Sequence, residues 1–291
     1  MSRPLLRRPA AMRARRHPWV LAASWGWQSA VAVVVSWPAA SFVAATYGAG
    51  PRGDGPLWDA GGHALLDFMW HGAHGLVPIA RTAEIALGIG ATVGLLPTAA
   101  AMVAIAYAKG DRRPLGFVGS AGVAVRAMPS LLWLLLVVGL VQAATVVLGA
   151  LIAQGAQAWL HDGWGEQRAD RVAVAIAVVF AIAVSGIGVM HDLARAVVLC
   201  RKLSGPRALV LGARAFGRAP LLLWWSWAWR AVSSWIPVLA AAAVATRVGG
   251  RGGGALILLA LLHQGVVLSR VALRTSWLAK ALRSVHAADP A

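Results

Sequence analysis

Negative charge is scarce in this chain. Ten Asp and Glu stand against 27 Lys and Arg, and charged residues of both signs make up only 13% of 291 positions. A soluble domain carries roughly a quarter charged residues, so there is too little polar surface here to cover a soluble globule. Ten acids, mostly in loops, also leave little material for acid–base catalysis. A single cysteine, Cys200, excludes an internal disulfide and a cysteine-built zinc site. No phosphate-cradling P-loop, no Gly-x-Ser-x-Gly elbow and no His-Glu-x-x-His helix occurs. No repeat of fixed period is visible either. Together these shortages point away from an enzyme. Tyr and Phe are few, two and five, whereas Trp is abundant at fifteen. Trp gathers at membrane–water interfaces, which accounts for the imbalance.

What the chain does have is apolar length. Hydrophobic residues reach 59%, and the mean hydropathy is +0.69. One helix needs about 20 apolar residues to cross a bilayer, which leaves room for about six spans and no large soluble domain. Residues 1–19 form a basic segment with Arg3, Arg7, Arg8, Arg13, Arg15 and Arg16 and no acid. The apolar stretch Val20–Tyr47 follows. It is long and lacks a clean small-x-small cleavage site, so a retained first span is expected rather than a signal peptide. Five further spans are expected over 82–108, 128–152, 172–194, 219–246 and 255–276. Polar breaks separate them at 109–114, 161–171, 195–218 and the glycine-rich 247–254. The expected fold is all-α: a polytopic membrane protein with one transmembrane domain over 20–291, its core at about 80–276.

Charge orients it. With the N-terminus inside, the cytoplasmic segments hold 20 of the 27 Lys and Arg and the outer segments six, while Arg230 falls within a span. The positive-inside rule then puts both termini in the cytoplasm. The formal charge of +17 would suggest nucleic acid in a soluble protein. Beside apolar runs it suits anionic lipid at an inner, plasma membrane, and no nucleic-acid partner is expected.

Few polar residues fall inside the spans. Arg230, near mid-membrane, reads either as an anion contact on a solute path or as a hydrogen-bond partner of a neighbouring helix. His263 is either a buried, hydrogen-bonded histidine or a pathway residue. Arg81 and Glu84, three apart, suit an ion pair on one helix face. His63, His71 and His74 cluster with Asp59 and Asp67 but match no zinc spacing, so no metal is expected. Trp225 and Trp229 share a face at a span's cytoplasmic end, where an aromatic belt is expected. The stretch 200–220 is too polar to span. Leu203, Leu209, Leu211 and Phe216 give it apolar contacts, and it suits a short amphipathic helix, with Gly212 as an interruption, lying on lipid or on a soluble partner.

Four blocks carry a family likeness: TAEIALGIGATVGLLP (82–97), RAMPSLLWLLLV (126–137), SGIGVMHDLARAV leading into GPRALVLGAR (185–214), and VGGRGGG (248–254). In order and spacing the chain resembles permease subunits of type I ABC importers, the phosphonate type above all. The resemblance implies a permease-like core whose cytoplasmic loop, about 195–218, couples to an ATPase dimer. The loop residues concerned are Pro206, Arg207, Ala208, Leu209, Gly212, Ala213, Arg214 and Phe216, and the small ones, Ala208, Gly212 and Ala213, would seat in the ATPase. It also implies a second permease subunit, an extracytoplasmic solute-binding protein, and a small anionic solute such as a phosphonate. ATP and magnesium would reside in the partner, leaving this chain without a cofactor or catalytic residues. The sequence departs from the family where a Glu is usual, at Pro206 or, with one residue deleted, at Arg207, and at Ser130, Trp224-Trp225 and Val232, which suggests one half of a heterodimer. A membrane scaffold or assembly protein with a basic loop is the competing expectation.

Overall fold

The computed structural model describes residues 5–6, 12, 17–47, 73–109, 113–248 and 253–287. Nine helices account for nearly all of them: α1 (Pro18–Tyr47), α2 (Ala73–Val93), α3 (Leu95–Ala106), α4 (Phe117–Trp164), α5 (Glu166–Arg201), α6 (Gly205–Arg218), α7 (Pro220–Ser233), α8 (Ile236–Val248) and α9 (Gly253–Ala287). A minimal antiparallel ribbon of β1 (Leu5–Leu6), β2 (Tyr107–Lys109) and β3 (Arg113–Pro114) joins the N-terminal segment to the end of α3.

Six helical segments are long and apolar enough to cross a membrane: Pro18–Phe42, Arg81–Ala106, Phe117–His161, Glu166–Arg201, Pro220–Ala245 and Ile257–Ala287. This is a multi-pass helical membrane protein. Two spans are interrupted. Gly94 separates α2 from α3, and Ser234–Trp235 separate α7 from α8. A proline follows each break, Pro97 and Pro237, as the third and second residue of the next helix. Proline lacks the N–H for the i→i−4 ladder and its ring crowds the preceding turn, so the helix restarts there.

The third and fourth spans outrun any bilayer. The 48 residues of α4 and 36 of α5 extend about 72 and 54 Å at 1.5 Å per residue, against a hydrocarbon core of about 30 Å. The expected polar break at 161–171 is therefore not a loop. It is a helical tip, and only Gly165 leaves the helical path, at φ 77. Gly tolerates that left-handed conformation without a Cβ penalty. Across the hairpin Gln142 Nε2 donates to Val184 O at 3.2 Å and Gln157 Nε2 to Asp170 Oδ1 at 2.7 Å.

Contacts divide the chain into two compact units. The first comprises Met1–Arg13, Met102–Trp229 and Trp277–Ala291; the second comprises Ala14–Ala101 and Arg230–Ser276. In the first, the core gathers at the C-terminal ends of α5 and α9 and the end of α3, with Met102, Ile105, Leu193, Leu199, Trp277 and Leu282 buried. Tyr107 seals this end, donating its hydroxyl to Leu199 O at 2.7 Å. In the second, α1 packs on α2, and Ser29 Oγ on α1 donates to Gln264 Oε1 on α9 at 3.1 Å.

Candidate functional site

The stretch 200–220 folds as two elements with a sharp reversal between them. α5 runs to Arg201, further than the apolar pattern suggested, and closes on Lys202 in the left-handed conformation (φ 54), whose N–H donates to Val198 O at 2.9 Å. That turn satisfies a terminal carbonyl of α5 and reverses the chain. Ser204 then precedes α6 in extended conformation, and Pro206 sits in the first turn, where a missing N–H costs nothing.

α6 is amphipathic in an unusual sense: its inward face is small rather than bulky. Gly205, Ala208 and Gly212 are its buried residues. A Cβ on Gly212 would lie 2.7 Å from the Ala194 nitrogen and 2.9 Å from its Cα, and one on Gly205 would lie 2.6 Å from the Trp133 ring. Backbone therefore meets backbone where α6 crosses α5. The expected interruption at Gly212 does not occur; the helix runs through it, and the missing side chain serves the close approach. This also corrects the expectation that Ala208 and Gly212 seat on a partner, because both are buried within the chain, Gly212 against Ala194 of α5. Leu209, Leu211 and Phe216 are half-buried along the flanks, with Phe216 near Gly186. The outward face carries Pro206, Arg207, Val210, Ala213, Arg214, Gly217 and Arg218, all exposed.

Behind α6 the end of α5 is held by polar ties that the sequence reading missed. Asp192 is only 2% exposed. Its Oδ2 accepts from Trp277 Nε1 at 2.8 Å, and its Oδ1 lies 3.6 Å from Arg195 Nη1 one turn on. Arg201 Nη2 donates to Val285 O at 3.3 Å and Lys280 Nζ to Ser226 Oγ at 2.6 Å. Arg283 Nη1 reaches Met12 O at 2.6 Å. A buried ion pair contributes little net stability, yet removing one partner strands the other charge. The ties on Asp192 and Arg201 therefore fix the end of α5 against α9, and with it the surface on which Gly212 of α6 is seated. A lone acid within an apolar stretch was the available signal.

Arg230 lies in the last turn of α7, four residues before the break. A cation there complements the negative end of a helix. Its Nε donates to Ser276 Oγ at 3.3 Å. Just past the break, the Trp235 ring lies 5.7 Å from the Arg270 guanidinium, within cation–π range. His263 is exposed on α9, and Trp225 is exposed on α7. Arg81 and Glu84 are both exposed, and the ion pair expected between them is not among those the described residues form. Among the described residues no three His, Cys, Asp or Glu converge as metal ligands would. His63, His71, His74, Asp59 and Asp67 lie outside the described residues, as does most of the glycine-rich turn at 249–252.

Comparison with known proteins adds no relative: no family model, curated protein or solved structure matches the chain.

Proposed function

We propose that the chain is the transmembrane subunit of an ABC importer, with α6 as the element that couples it to a cytoplasmic ATPase dimer. One observation carries the reading. α6 is a separate fourteen-residue helix between two spans, fixed by its small inward face to the end of α5 and exposed to solvent along its outward face. Such an element transmits force in either direction: movement of whatever grips the outward face must move α5.

The charge bias supports cytoplasmic termini and a cytoplasmic α6, and the four sequence blocks support a permease-like core. Alternating access then requires two packings of the spans that differ by a few kcal/mol, biased through α6 by ATP binding and hydrolysis in the partner. The solute pathway would run past Arg230, and the solute would be a small anion such as a phosphonate or phosphate-like compound. Binding of that anion offsets the desolvation of a guanidinium at membrane depth. A second permease subunit of different sequence would complete the pathway, given the departures at Pro206, Ser130 and Val232. An extracytoplasmic binding protein would deliver the solute.

The test uses Ala213→Trp on the outward face, since a bulky residue at Ala208 or Gly212 would disturb the chain's own packing first. The variant should insert normally, yet release the ATPase on purification or lose solute-stimulated ATP turnover. Retention of both at wild-type level would leave α6 without a coupling role, and the scaffold reading would then lead.

A further inference from the structure

We infer that the outward face of α6 is a basic ridge that docks into a carboxylate-lined groove of its soluble partner, with Arg207 and Arg214 as the residues that select that partner. The inference rests on the coupling role proposed above and adds the chemistry of the interface.

The ridge is built on helical spacing. Arg207, Val210, Ala213, Arg214, Gly217 and Arg218 recur three and four apart and are all exposed, which puts them on one face. Arg207 and Arg214 are two turns apart, about 10 Å along the axis. Between them lie only Val210, 52% exposed, and Ala213. The ridge is thus two guanidinium forks flanking a small apolar floor, a shape a groove can close upon.

Nearby sequence offers Arg207 and Arg214 little to neutralise them. Asp192 is the last acid before Asp289, and Asp192 is buried in its own bonds to Trp277 and Arg195. Among the described residues neither Arg207 nor Arg214 forms an ion pair. Helix stability does not explain Arg207 either. It stands in the first turn of α6, which contains no acid, so its charge opposes the helix dipole. Arg214 and Arg218, toward the other end, have that bland explanation; Arg207 does not.

A protein groove fits better than a lipid surface. A helix lying on lipid turns bulky apolar residues outward to the acyl boundary. Here the bulky residues Leu209, Leu211 and Phe216 are half-buried toward the chain, and the outward apolar side chains are Val210 and Ala213 alone. Guanidinium forks paired with carboxylates in a groove are bidentate and directional, which suits force transmission.

The experiment uses the full-length chain, affinity-tagged and co-purified with its ATP-hydrolysing partner, then reconstituted in vesicles of neutral phosphatidylcholine or of phosphatidylcholine with phosphatidylglycerol. Partner retention and ATP turnover are measured for wild type, Arg207→Glu with Arg214→Glu, Arg207→Lys with Arg214→Lys, and Ala213→Trp. The double reversal should weaken partner retention by about tenfold or more in both lipids. Wild-type retention should fall between about 0.15 M and 1 M salt as the charges are screened. The lysine pair should keep a part of it. Retention unaffected by the double reversal, with release by Ala213→Trp, would overturn the basic ridge and leave the coupling role standing. No effect from any variant would remove the coupling role and the ridge together. An effect confined to phosphatidylglycerol vesicles would assign the ridge to lipid and overturn the protein groove.

Discussion

Two glycines five residues apart on α6 give a matched test of how it is seated. At Gly217 a Cβ meets nothing within 4 Å, whereas at Gly212 it meets the Ala194 nitrogen, Cα and Cβ at 2.7, 2.9 and 3.0 Å. Gly→Ala in a helix interior gains roughly 0.5–1 kcal/mol from backbone entropy alone. Gly217→Ala should show that gain undiminished. Gly212→Ala should show the same gain opposed by overpacking, about 1–3 kcal/mol where the obstacle is backbone that cannot rotate away. The variant pair should therefore differ by about 1–3 kcal/mol despite identical chemistry. In detergent, thermal unfolding followed by Trp fluorescence reads the difference as a midpoint shift of about 2–4 °C per kcal/mol, upward for Gly217→Ala and level or downward for Gly212→Ala. Equal upward shifts would refute the close crossing of α6 on α5, and with it the idea that α6 moves as one body with that helix.

The other predictions address orientation, the solute path and the sealed end of the first unit. In a background where Cys200 is replaced by Ser, cysteine at Arg112 should resist a membrane-impermeant thiol reagent in intact cells while cysteine at Gly163 reacts; the reversed pattern would invert the topology. Arg230→Ala should abolish uptake with the complex intact and Arg230→Lys should keep part of it, whereas normal transport by the alanine variant would remove Arg230 from the path. The Tyr107 hydroxyl is pushed up to about 12 from 10.0, by burial first and the neighbouring Cys200 second. The neutral phenol is thus favoured by folding, so its contribution is intact below pH 10 and lost as pH rises toward 12. Tyr107→Phe should lower stability at neutral pH by roughly 0.5–1.5 kcal/mol and flatten the alkaline decline; an unchanged decline would place its origin elsewhere.

Membrane crossing was legible because hydropathy is local. The expected spans 82–108 and 219–246 coincide with Arg81–Ala106 and Pro220–Ala245 to within two residues, since the hydropathy of a span is summed over neighbouring residues in sequence. The amphipathic helix in 200–220 was legible for the same reason. The helical tip at 161–171 was not. Its polarity marks the exit from the bilayer, and polarity does not distinguish a loop from a helix that continues into water.

The direction in which α6 faces was decided only by tertiary structure. Its sequence offers small residues on one side and arginines on the other, and either could have met a partner. The αL turn at Lys202 and the ties on Asp192 bring Ala194 under Gly212, so the small side is used internally and the arginines are left outward. Likewise the bond from Trp277 to Asp192 joins residues 85 positions apart, and no local pattern encodes a contact of that range. Composition determined that the chain enters a membrane and how often it crosses, because transfer free energies add residue by residue. Which faces remain free to act depends on close packing between segments distant in sequence, and that the fold alone determined.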